Sequence, residues 1–356
     1  MLKNGIIACS IMLGVAACHK PGLEGPGNIL GSGPYEIRTI AFYNVENLFD
    51  TVNDSLVADD ERTPEGRDQW TRERYQVKLR NIARVLAGIG REEARRLPDL
   101  IGLCEVENRG VLSDLLGQEA LRAGEYGVVH YDSPDLRGID VALLYKKSVF
   151  TVLESQRRRL LLRDEKNNLK STRDQLVVYG ALDGEALYVS VNHWPSRSGG
   201  QLKSEPLRRQ AAALQRSILD SVLRADPEAR FISMGDYNDD PPDLSIRYGL
   251  GTRREPDSLP ASLFYNPMEE LFASGSGSLA YQDSWSLFDQ ILFNGNWFPR
   301  GVGFVFWKAR VYHPDYLKTQ DGPFTGYPFR TYAGGIYQGG YSDHFPVYAY
   351  LVRKVD

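Results

Sequence analysis

Short apolar runs of strand length, separated by turn-rich or helical segments, are the feature that most constrains the fold of this chain. The runs lie at residues 39–43, 100–104, 141–145, 187–192, 231–235, 289–293 and 345–352. They are rich in the β-branched and aromatic residues that favour strands. Two further segments, 75–89 and 207–222, carry apolar residues three or four positions apart, the spacing of an amphipathic helix. A predicted strand follows each helix, so the sequence indicates a mixed α/β protein.

Length and composition are those of a soluble globular chain with an ordinary core. The chain has 356 residues, of which 42% are hydrophobic and 25% charged. Its formal net charge of −4 argues against a polybasic protein that binds nucleic acid mainly by electrostatics, but it leaves room for an enzyme with a local basic groove. No second linker rich in Gly and Pro follows residue 35, which predicts a single domain over residues 36–356.

The N-terminus has the pattern of a secretory signal. Lys3 precedes an apolar segment, 5–17, that is too short to span a membrane. The ending Val-Ala-Ala-Cys at Cys18 resembles the lipobox of bacterial lipoproteins, which implies a lipoprotein signal peptide over residues 1–17 and a lipid on Cys18. An ordinary signal cleaved nearby is the alternative. Residues 18–35 are rich in Gly and Pro and are predicted to form a flexible tether. The expected location is the bacterial cell envelope, with a membrane as partner of the lipid anchor.

Cysteine and histidine are both scarce. With Cys9 inside the signal and Cys18 lipidated, only Cys104 remains in the folded part, so no internal disulfide is expected. Cys104 is interpreted as a small buried hydrophobe rather than a nucleophile. Of the five histidines, His130 and His313 lie outside the motifs below and are interpreted as surface or loop residues.

Polar residues stand at the ends of several predicted strands, where an apolar strand does not need them. These residues are Asn44, Glu46, Glu105, His193, Asp236, Asn238, Asp289, Asp343 and His344. Strand ends along one rim of a sheet are where catalytic groups collect, because the scaffold fixes their positions while the loops leave them open to substrate. The recurrence of the pattern predicts a functional site.

The chemistry of this set can be read from the residue types. Asn44, Glu105 and Asp343 offer only hard oxygen ligands, which suit Mg²⁺, Mn²⁺ or Ca²⁺ rather than zinc. His193 and His344 are candidates for proton transfer near neutral pH. A hard cation, acid–base histidines and amide donors together fit the attack of water on a phosphate ester.

The motifs that contain these residues resemble, in order, those of the endonuclease/exonuclease/phosphatase superfamily. The motifs are FYNVENLFD, IGLCEVEN, RGIDVALLY, NHWPSRSGG, MGDYND, WSLFDQILF and GGYSDHFPV. They extend over nearly the whole predicted domain. The resemblance implies an α/β (α+β) fold, a four-layer αββα sandwich in which two packed mixed β-sheets are flanked by helices.

The resemblance also implies a metal site. Glu105 is then the principal ligand, with Asn44 and Glu46 beside it, and Asp343 holds the cation directly or through water. Mg²⁺ is the expected cofactor, with Mn²⁺ or Ca²⁺ as alternatives.

Catalytic roles follow from the same resemblance. His344 is expected near the scissile phosphate and paired with Asp289, a carboxylate able to orient an imidazole and favour its protonated form. Asp236 is expected to orient or deprotonate the attacking water and Asn238 to donate to the phosphate. His193 is expected to contact the phosphate or to act as the second acid–base group. Which of the two histidines and Asp236 is the general base stays open at this point.

Two arginines, Arg137 and Arg173, are candidate substrate-binding residues because guanidinium groups suit bidentate contact with oxyanions; structural ion pairs are the alternative. The function expected first is that of an exported metal-dependent nuclease, a monomer that acts on DNA or RNA. A phosphatase or sphingomyelinase-like phospholipase of the same superfamily is the alternative. A catalytically inactive binding lipoprotein is a third possibility, but every expected site position is filled.

Overall fold

The computed structural model describes residues 33–164, 166–298 and 303–355. The predicted signal peptide, the lipidation site at Cys18 and most of the predicted tether lie outside these ranges. Among the described residues, no helix combines the length and apolar character needed to cross a membrane.

The α-helices are α1 (Arg72–Gly88), α2 (Arg91–Ala94), α3 (Arg109–Leu116), α4 (Glu119–Arg122), α5 (Gln201–Ala225) and α6 (Met268–Ala273). Single 3₁₀ turns lie at Asp60–Arg62, Gly295–Trp297 and Asp315–Leu317, and a π-helical turn at Ser245–Leu250. Strands β1 to β10 are Tyr35–Leu48, Leu100–Val106, Tyr126–His130, Asp140–Lys146, Phe150–Arg158, Leu162–Arg163, Leu169–Lys170, Gln175–Leu182, Glu185–His193 and Phe231–Asp236. Strands β11 to β19 are Thr252–Arg253, Phe264–Tyr265, Leu279–Tyr281, Ser284–Ser286, Asp289–Asn294, Val305–Val311, Tyr332–Ala333, Ile336–Tyr337 and Val347–Lys354.

The long strands form two mixed sheets. The first has the order β16-β19-β1-β2-β4-β3 and the second the order β11-β12-β15-β10-β9-β8-β5. At the centre of each sheet lies one parallel pair, β1 with β2 and β9 with β10. Helix α1 precedes β2 and helix α5 joins β9 to β10, as a parallel connection requires.

The sheets pack face to face, with helices on their outer faces. Successive side chains point to opposite faces of a sheet, so alternate residues of β1 pack into two different cores. Ile40 and Phe42 belong to the core between the sheets, together with Ile232 of the second sheet. Ala41 and Tyr43 belong to the core under helix α1. A third core lies between the second sheet and helix α5. The predicted αββα sandwich is confirmed.

The predicted strands and both predicted helices are present. The sequence patterns do not predict β8, which lies inside the second sheet, or the edge strands β3, β5 and β16. Edge strands tolerate polar residues on both faces, which breaks the apolar run that identifies a strand. The last strand also begins later than residue 345, at Val347, since Pro346 lacks the backbone N–H that a ladder requires.

Candidate active site

The site lies where the central strands of both sheets end. His193 and Asp236 are the last residues of the parallel strands β9 and β10 and pair in register. Asp289 begins the antiparallel neighbour β15 and pairs with Asp236, so three polar residues stand in one row across the second sheet. In the first sheet, Asn44 pairs with Cys104 and Glu105 follows directly. The strand connections therefore bring the predicted residues to one edge of the sandwich.

Two contacts, Asn44 with Asp236 and His193 with Glu105, join the two sheets at this edge. Asn44 Nδ2 donates to Asp236 Oδ2 at 3.1 Å and lies 3.4 Å from Glu105 Oε1. The Nε2 atom of His193 lies 3.8 Å from Glu105 Oε1 and 3.7 Å from Asp236 Oδ2. These residues form one buried polar network across the seam between the sheets.

Left-handed backbone aims the side chains at the end of the first sheet. Glu46, Asn47 and Glu105 have φ values of 51°, 56° and 62°, although none is glycine. The strand register shifts at the same points, as at a β-bulge, which re-aims a side chain. Such residues cost roughly 1–3 kcal/mol each and concentrate at functional sites. Here the backbone amide of Asn47 donates to Glu105 Oε2 at 3.0 Å and fixes that carboxylate.

The turn before His344 is anchored to strand β1 of the first sheet. Ser342 Oγ donates to the Asn44 carbonyl at 2.7 Å and accepts from the His344 amide at 3.1 Å. Gly340 lies so close to the Phe329 carbonyl that a Cβ atom would approach it to 2.2 Å, so only glycine fits. The turn therefore fixes the position of the imidazole before any substrate binds.

His344 is paired with Asp289 across the seam. The Nδ1 atom of His344 lies 2.6 Å from Asp289 Oδ2, and both side chains are buried. Burial alone lowers the pKa of His344, but Asp289 and the neighbouring carboxylates outweigh it and raise that pKa well above the ordinary value. His344 is therefore an imidazolium at neutral pH. The pairing with Asp289 that the resemblance implied is present.

The other two candidate bases have different protonation states. Burial raises the pKa of Asp236 to about 7, against the opposing charge of His344. Burial, together with the charges of Arg173 and Arg137, lowers the pKa of His193 well below its ordinary value. Asp236 thus titrates near neutral pH, whereas His193 is a neutral imidazole. Its Nδ1 atom is buried without a hydrogen-bond partner among the described residues.

Two cations hold the carboxylates beside Glu105. Arg330 donates from Nε to Glu46 Oε1 at 3.1 Å and from a terminal nitrogen to Asp343 Oδ2 at 3.0 Å. Lys78 Nζ lies 3.8 Å from Glu46 Oε2 and donates to the Tyr341 carbonyl at 2.6 Å. Burial lowers the pKa of Lys78 to about 8. Sequence reasoning missed both cations, although a lysine on the apolar face of helix α1 was a usable signal.

The side chains around Glu105 are of the type that binds a hard divalent cation. Glu46, Glu105 and Asp343 supply carboxylate oxygens, the ligands that Mg²⁺ and Ca²⁺ prefer. Asn44 Oδ1 accepts from the Glu46 amide at 2.9 Å and has a second lone pair that could join them. Groups of at least three ligand atoms within 4.8 Å of one another, among the described residues, are Cys104 with His193 and Asp236, His130 with two aspartates, and Asp236 with Asp289 and His344; none contains Glu46, Glu105 or Asp343. Since Arg330 pairs with Glu46 and Asp343, a metal at Glu105 would compete with it for these carboxylates.

Asn238 and Arg173 share one backbone carbonyl, and Arg173 shares Asp135 with Arg137. Asn238 Nδ2 donates to the Trp194 carbonyl at 3.1 Å, and a terminal nitrogen of Arg173 donates to the same oxygen at 2.7 Å. Arg173 is buried and also donates to Asp135 Oδ2 at 3.0 Å. Arg137 is half exposed, with Nε 3.5 Å from Asp135 Oδ1. Asp135, which sequence reasoning did not identify, thus pairs with both guanidinium groups and holds them near His193.

Cys104 is fully buried in the core between the sheets, and burial raises the pKa of its thiol well above the ordinary value. Its environment is that of a small hydrophobe. The interpretation of His130 as a surface or loop residue was wrong. Its side chain is only 3% exposed and its Nε2 atom lies 3.1 Å from Asp140 Oδ2.

Comparison with known proteins agrees with this geometry. The sequence model of the Endonuclease/Exonuclease/phosphatase family matches residues 39–353, which is most of the chain. The chain belongs to this family. No match was found among curated proteins.

Solved structures that are similar to this chain include proteins with different names and activities. A humanized TDP2 from D. rerio has a TM-score of 0.55 and 16% identity, over 88% of this chain and 98% of that one. An endonuclease/exonuclease/phosphatase family protein from Bacteroides thetaiotaomicron has a TM-score of 0.52 and 18% identity, over 91% and 98%. A mannosyl-6-phosphatase from the same organism has a TM-score of 0.51 and 18% identity, over 88% and 99%. At these identities the likeness supports the fold alone.

Proposed function

We propose that this protein is a divalent-metal-dependent phosphodiesterase that cleaves nucleic acid by in-line attack of water. The observation that carries the proposal is the cluster of Asp236, Asp289 and His344 at the edge that also holds Glu105. It combines a carboxylate that titrates near neutral pH, a charged imidazole and a hard-oxygen ligand. Family membership supports phosphoester chemistry.

The protonation states support one choice among the roles that the sequence left open. Asp236 accepts a proton from the attacking water, because a base whose pKa lies near the working pH is the most effective. His344, held as an imidazolium by Asp289, donates to a phosphoryl oxygen or to the leaving group. His193 is neutral and offers a hydrogen bond rather than a charge.

Glu105, with Glu46 and Asp343, would hold the cation, which we propose to be Mg²⁺. When bound, such a cation stabilises negative charge on the phosphoryl oxygens. Asn44 links the ligand Glu105 to the base Asp236 and so fixes the distance between the two parts of the site. Asn238 is fixed by Asp236 through its backbone amide at 2.9 Å.

Hydrolysis of defined substrates tests this function. Purified protein is offered plasmid DNA, RNA, sphingomyelin and a sugar phosphate, first with Mg²⁺ and then with excess EDTA. We expect cleavage of nucleic acid that EDTA abolishes. Glu105→Gln should remove the activity, while Glu107→Gln, the same change two residues along the chain, should retain it. Equal rates in EDTA, or hydrolysis of the sugar phosphate or lipid alone, would reject the nuclease assignment.

We further propose that the enzyme works in the bacterial cell envelope, lipid-anchored through Cys18. The proposal rests on the lipobox-like sequence that ends at Cys18. Fractionation of cells that express the parent protein and Cys18→Ser tests it. We expect the parent protein in the membrane fraction and the variant in the soluble fraction, and equal membrane association of the two would contradict the anchor.

A further inference from the structure

A cleft of about 710 Å³ opens beside the catalytic residues, with Arg173 in its wall. It lies between the β6–β7 hairpin, the 195–198 loop and the first turns of helix α5. None of the proposed catalytic residues lines it, but Arg173 donates to the Trp194 carbonyl that also accepts from Asn238, so Arg173 connects the wall of the cleft to the catalytic site. Its volume is that of clefts which hold drug-sized ligands. We refer to it below as the basic cleft.

The charges of the basic cleft are unbalanced. Arg173 is paired with Asp135, but the lining also carries Arg163, Lys166, Lys170 and Lys203, against one described carboxylate, Asp164. Asp164 Oδ1 already accepts from the backbone amides of its own turn, at 2.8 and 2.9 Å. None of the three lysines forms an ion pair with a carboxylate in the described part of the chain.

The lysines are the charged groups of the basic cleft that a ligand can reach. Lys166, Lys170 and Lys203 are exposed, whereas Arg173 is buried and paired with Asp135. Lys203 lies in the first turn of helix α5, whose N-cap residue, Gly200, has no side chain to cap the helix. The positive end of that helix adds to the charge of the lysines.

The kind of anion follows from the number of phosphates that a ligand needs in order to occupy both the catalytic site and the basic cleft. The catalytic groups engage one phosphate, and the cations of the cleft then have no partner in a sugar monophosphate. The choline head group of sphingomyelin would bring a positive charge toward lysines of like charge. A polynucleotide carries a further phosphate at every nucleotide and satisfies both regions at once.

We propose that the basic cleft binds the phosphates of a nucleic-acid strand next to the phosphodiester held at the catalytic residues. This inference rests on the proposed function. It assigns Lys170 and Lys203, from two separate elements, to phosphate contacts, and it makes strand length a determinant of substrate choice.

Binding without turnover tests the cleft. Fluorescence anisotropy of a labelled single-stranded 12-mer is measured in EDTA, for the parent protein and for Lys170→Ala/Lys203→Ala. We expect the Kd to rise roughly tenfold at low salt, and the slope of log Kd against log salt to fall by about 1.4 for two lost contacts on a single strand. The matched control Lys147→Ala/Lys354→Ala removes the same charge from exposed positions outside the cleft and should leave both quantities unchanged.

Kinetics separate this inference from the proposed function. The ratio of kcat/KM for the 12-mer to kcat/KM for bis(p-nitrophenyl) phosphate should fall about tenfold in the cleft variant but not in the control. An unchanged Kd and ratio, equal losses in the control, or parent protein that binds anionic vesicles but not the 12-mer would each overturn the cleft proposal. If the parent protein binds the 12-mer through these lysines yet cleaves no nucleic acid, the cleft stands and the nuclease function fails.

Discussion

The Nδ1 atom of His344 lies 2.6 Å from Oδ2 of Asp289, although the two residues are 55 positions apart. Asp289 begins β15 of the second sheet, whereas His344 lies in the turn that leads into β19 of the first sheet. The contact closes the seam between the sheets at its catalytic edge. It also fixes which ring nitrogen of His344 faces away from the protein core and toward a substrate.

Asp289→Asn should lower the pKa of His344, because burial would then act without the opposing carboxylate. Because the proposed mechanism uses the imidazolium, the alkaline limb of kcat/KM should move to lower pH with this pKa, and kcat should fall by ~10²–10⁴. In the parent protein, the raised folded-state pKa of His344 also contributes stability that is present below the unfolded pKa and is lost as the pH rises through the folded pKa. NMR titration of the imidazole measures the shift. Asp140→Asn, which removes the partner of His130 instead, is the control; an unmoved His344 titration would contradict the assigned pairing.

Asp236 should set the acidic limb of the pH profile. Its pKa is raised to about 7, so the basic form, and with it kcat/KM, should increase as the pH rises through about 7. Asp236→Asn should reduce kcat by ~10²–10⁴ and abolish this limb. Residual activity with an unchanged acidic limb would show that another residue is the base.

Arg330→Gln should tighten the binding of a divalent cation. Arg330 neutralises Glu46 and Asp343, and unit charges 4 Å apart interact by about 1 kcal/mol even in bulk water. We expect a fall in the Kd for Mn²⁺ of roughly tenfold, measured by calorimetry without substrate. Arg72→Gln, at an exposed position on helix α1, serves as the control. Weaker binding in Arg330→Gln would indicate that the guanidinium organises the ligands instead of competing for them.

Lys78→Met should destabilise the protein by roughly 3–5 kcal/mol, because it leaves Glu46 buried with one fewer counter-charge. It also removes the bonds from Lys78 Nζ to Thr331 Oγ1 and the Tyr341 carbonyl, both at 2.6 Å. Urea denaturation measures the loss. The exposed Lys147→Met should change the free energy of unfolding by less than about 0.5 kcal/mol. Equal stability of Lys78→Met and the parent protein would refute the role of Lys78 as a stabilising counter-charge for Glu46.

Cys104→Ala should retain hydrolytic activity. Its thiol is buried and its raised pKa keeps it protonated, so it can serve neither as a nucleophile nor as a thiolate ligand at neutral pH. We expect a stability loss of about 1 kcal/mol from the lost sulfur contacts. In the native parent protein, the thiol of Cys104 should not react with thiol reagents. Loss of activity with intact folding would instead point to a metal between Cys104 and His193.

Periodicity and strand-end polarity explain how much of this structure is predictable from the sequence. The central strands are apolar on both faces, so β1 and β10 are recognisable as continuous runs. His344 and Asp289 are recognisable because each adjoins such a run. Arg330 lies in a long segment without periodicity, and nothing local marks it as the partner of Glu46, 284 positions away.

Backbone conformation is the other part that the sequence hides. Glu46, Asn47 and Glu105 adopt left-handed φ values that are ordinary only for glycine. Local propensity predicts extended backbone at these positions, and only the packing of the two sheets imposes the alternative. The direction in which Glu105 points is therefore a tertiary property.

The division between strand ends and surrounding segments has a consequence for how such an enzyme diversifies. Most of the proposed hydrolytic groups stand at strand ends, whereas the basic cleft is built from a short hairpin, a loop and the first turns of a helix. If the cleft binds substrate as proposed, exchange of that hairpin would alter substrate choice without disturbing the proposed catalytic residues. The same scaffold could then pass from long polymers to small phosphate esters by substitutions in a single peripheral segment.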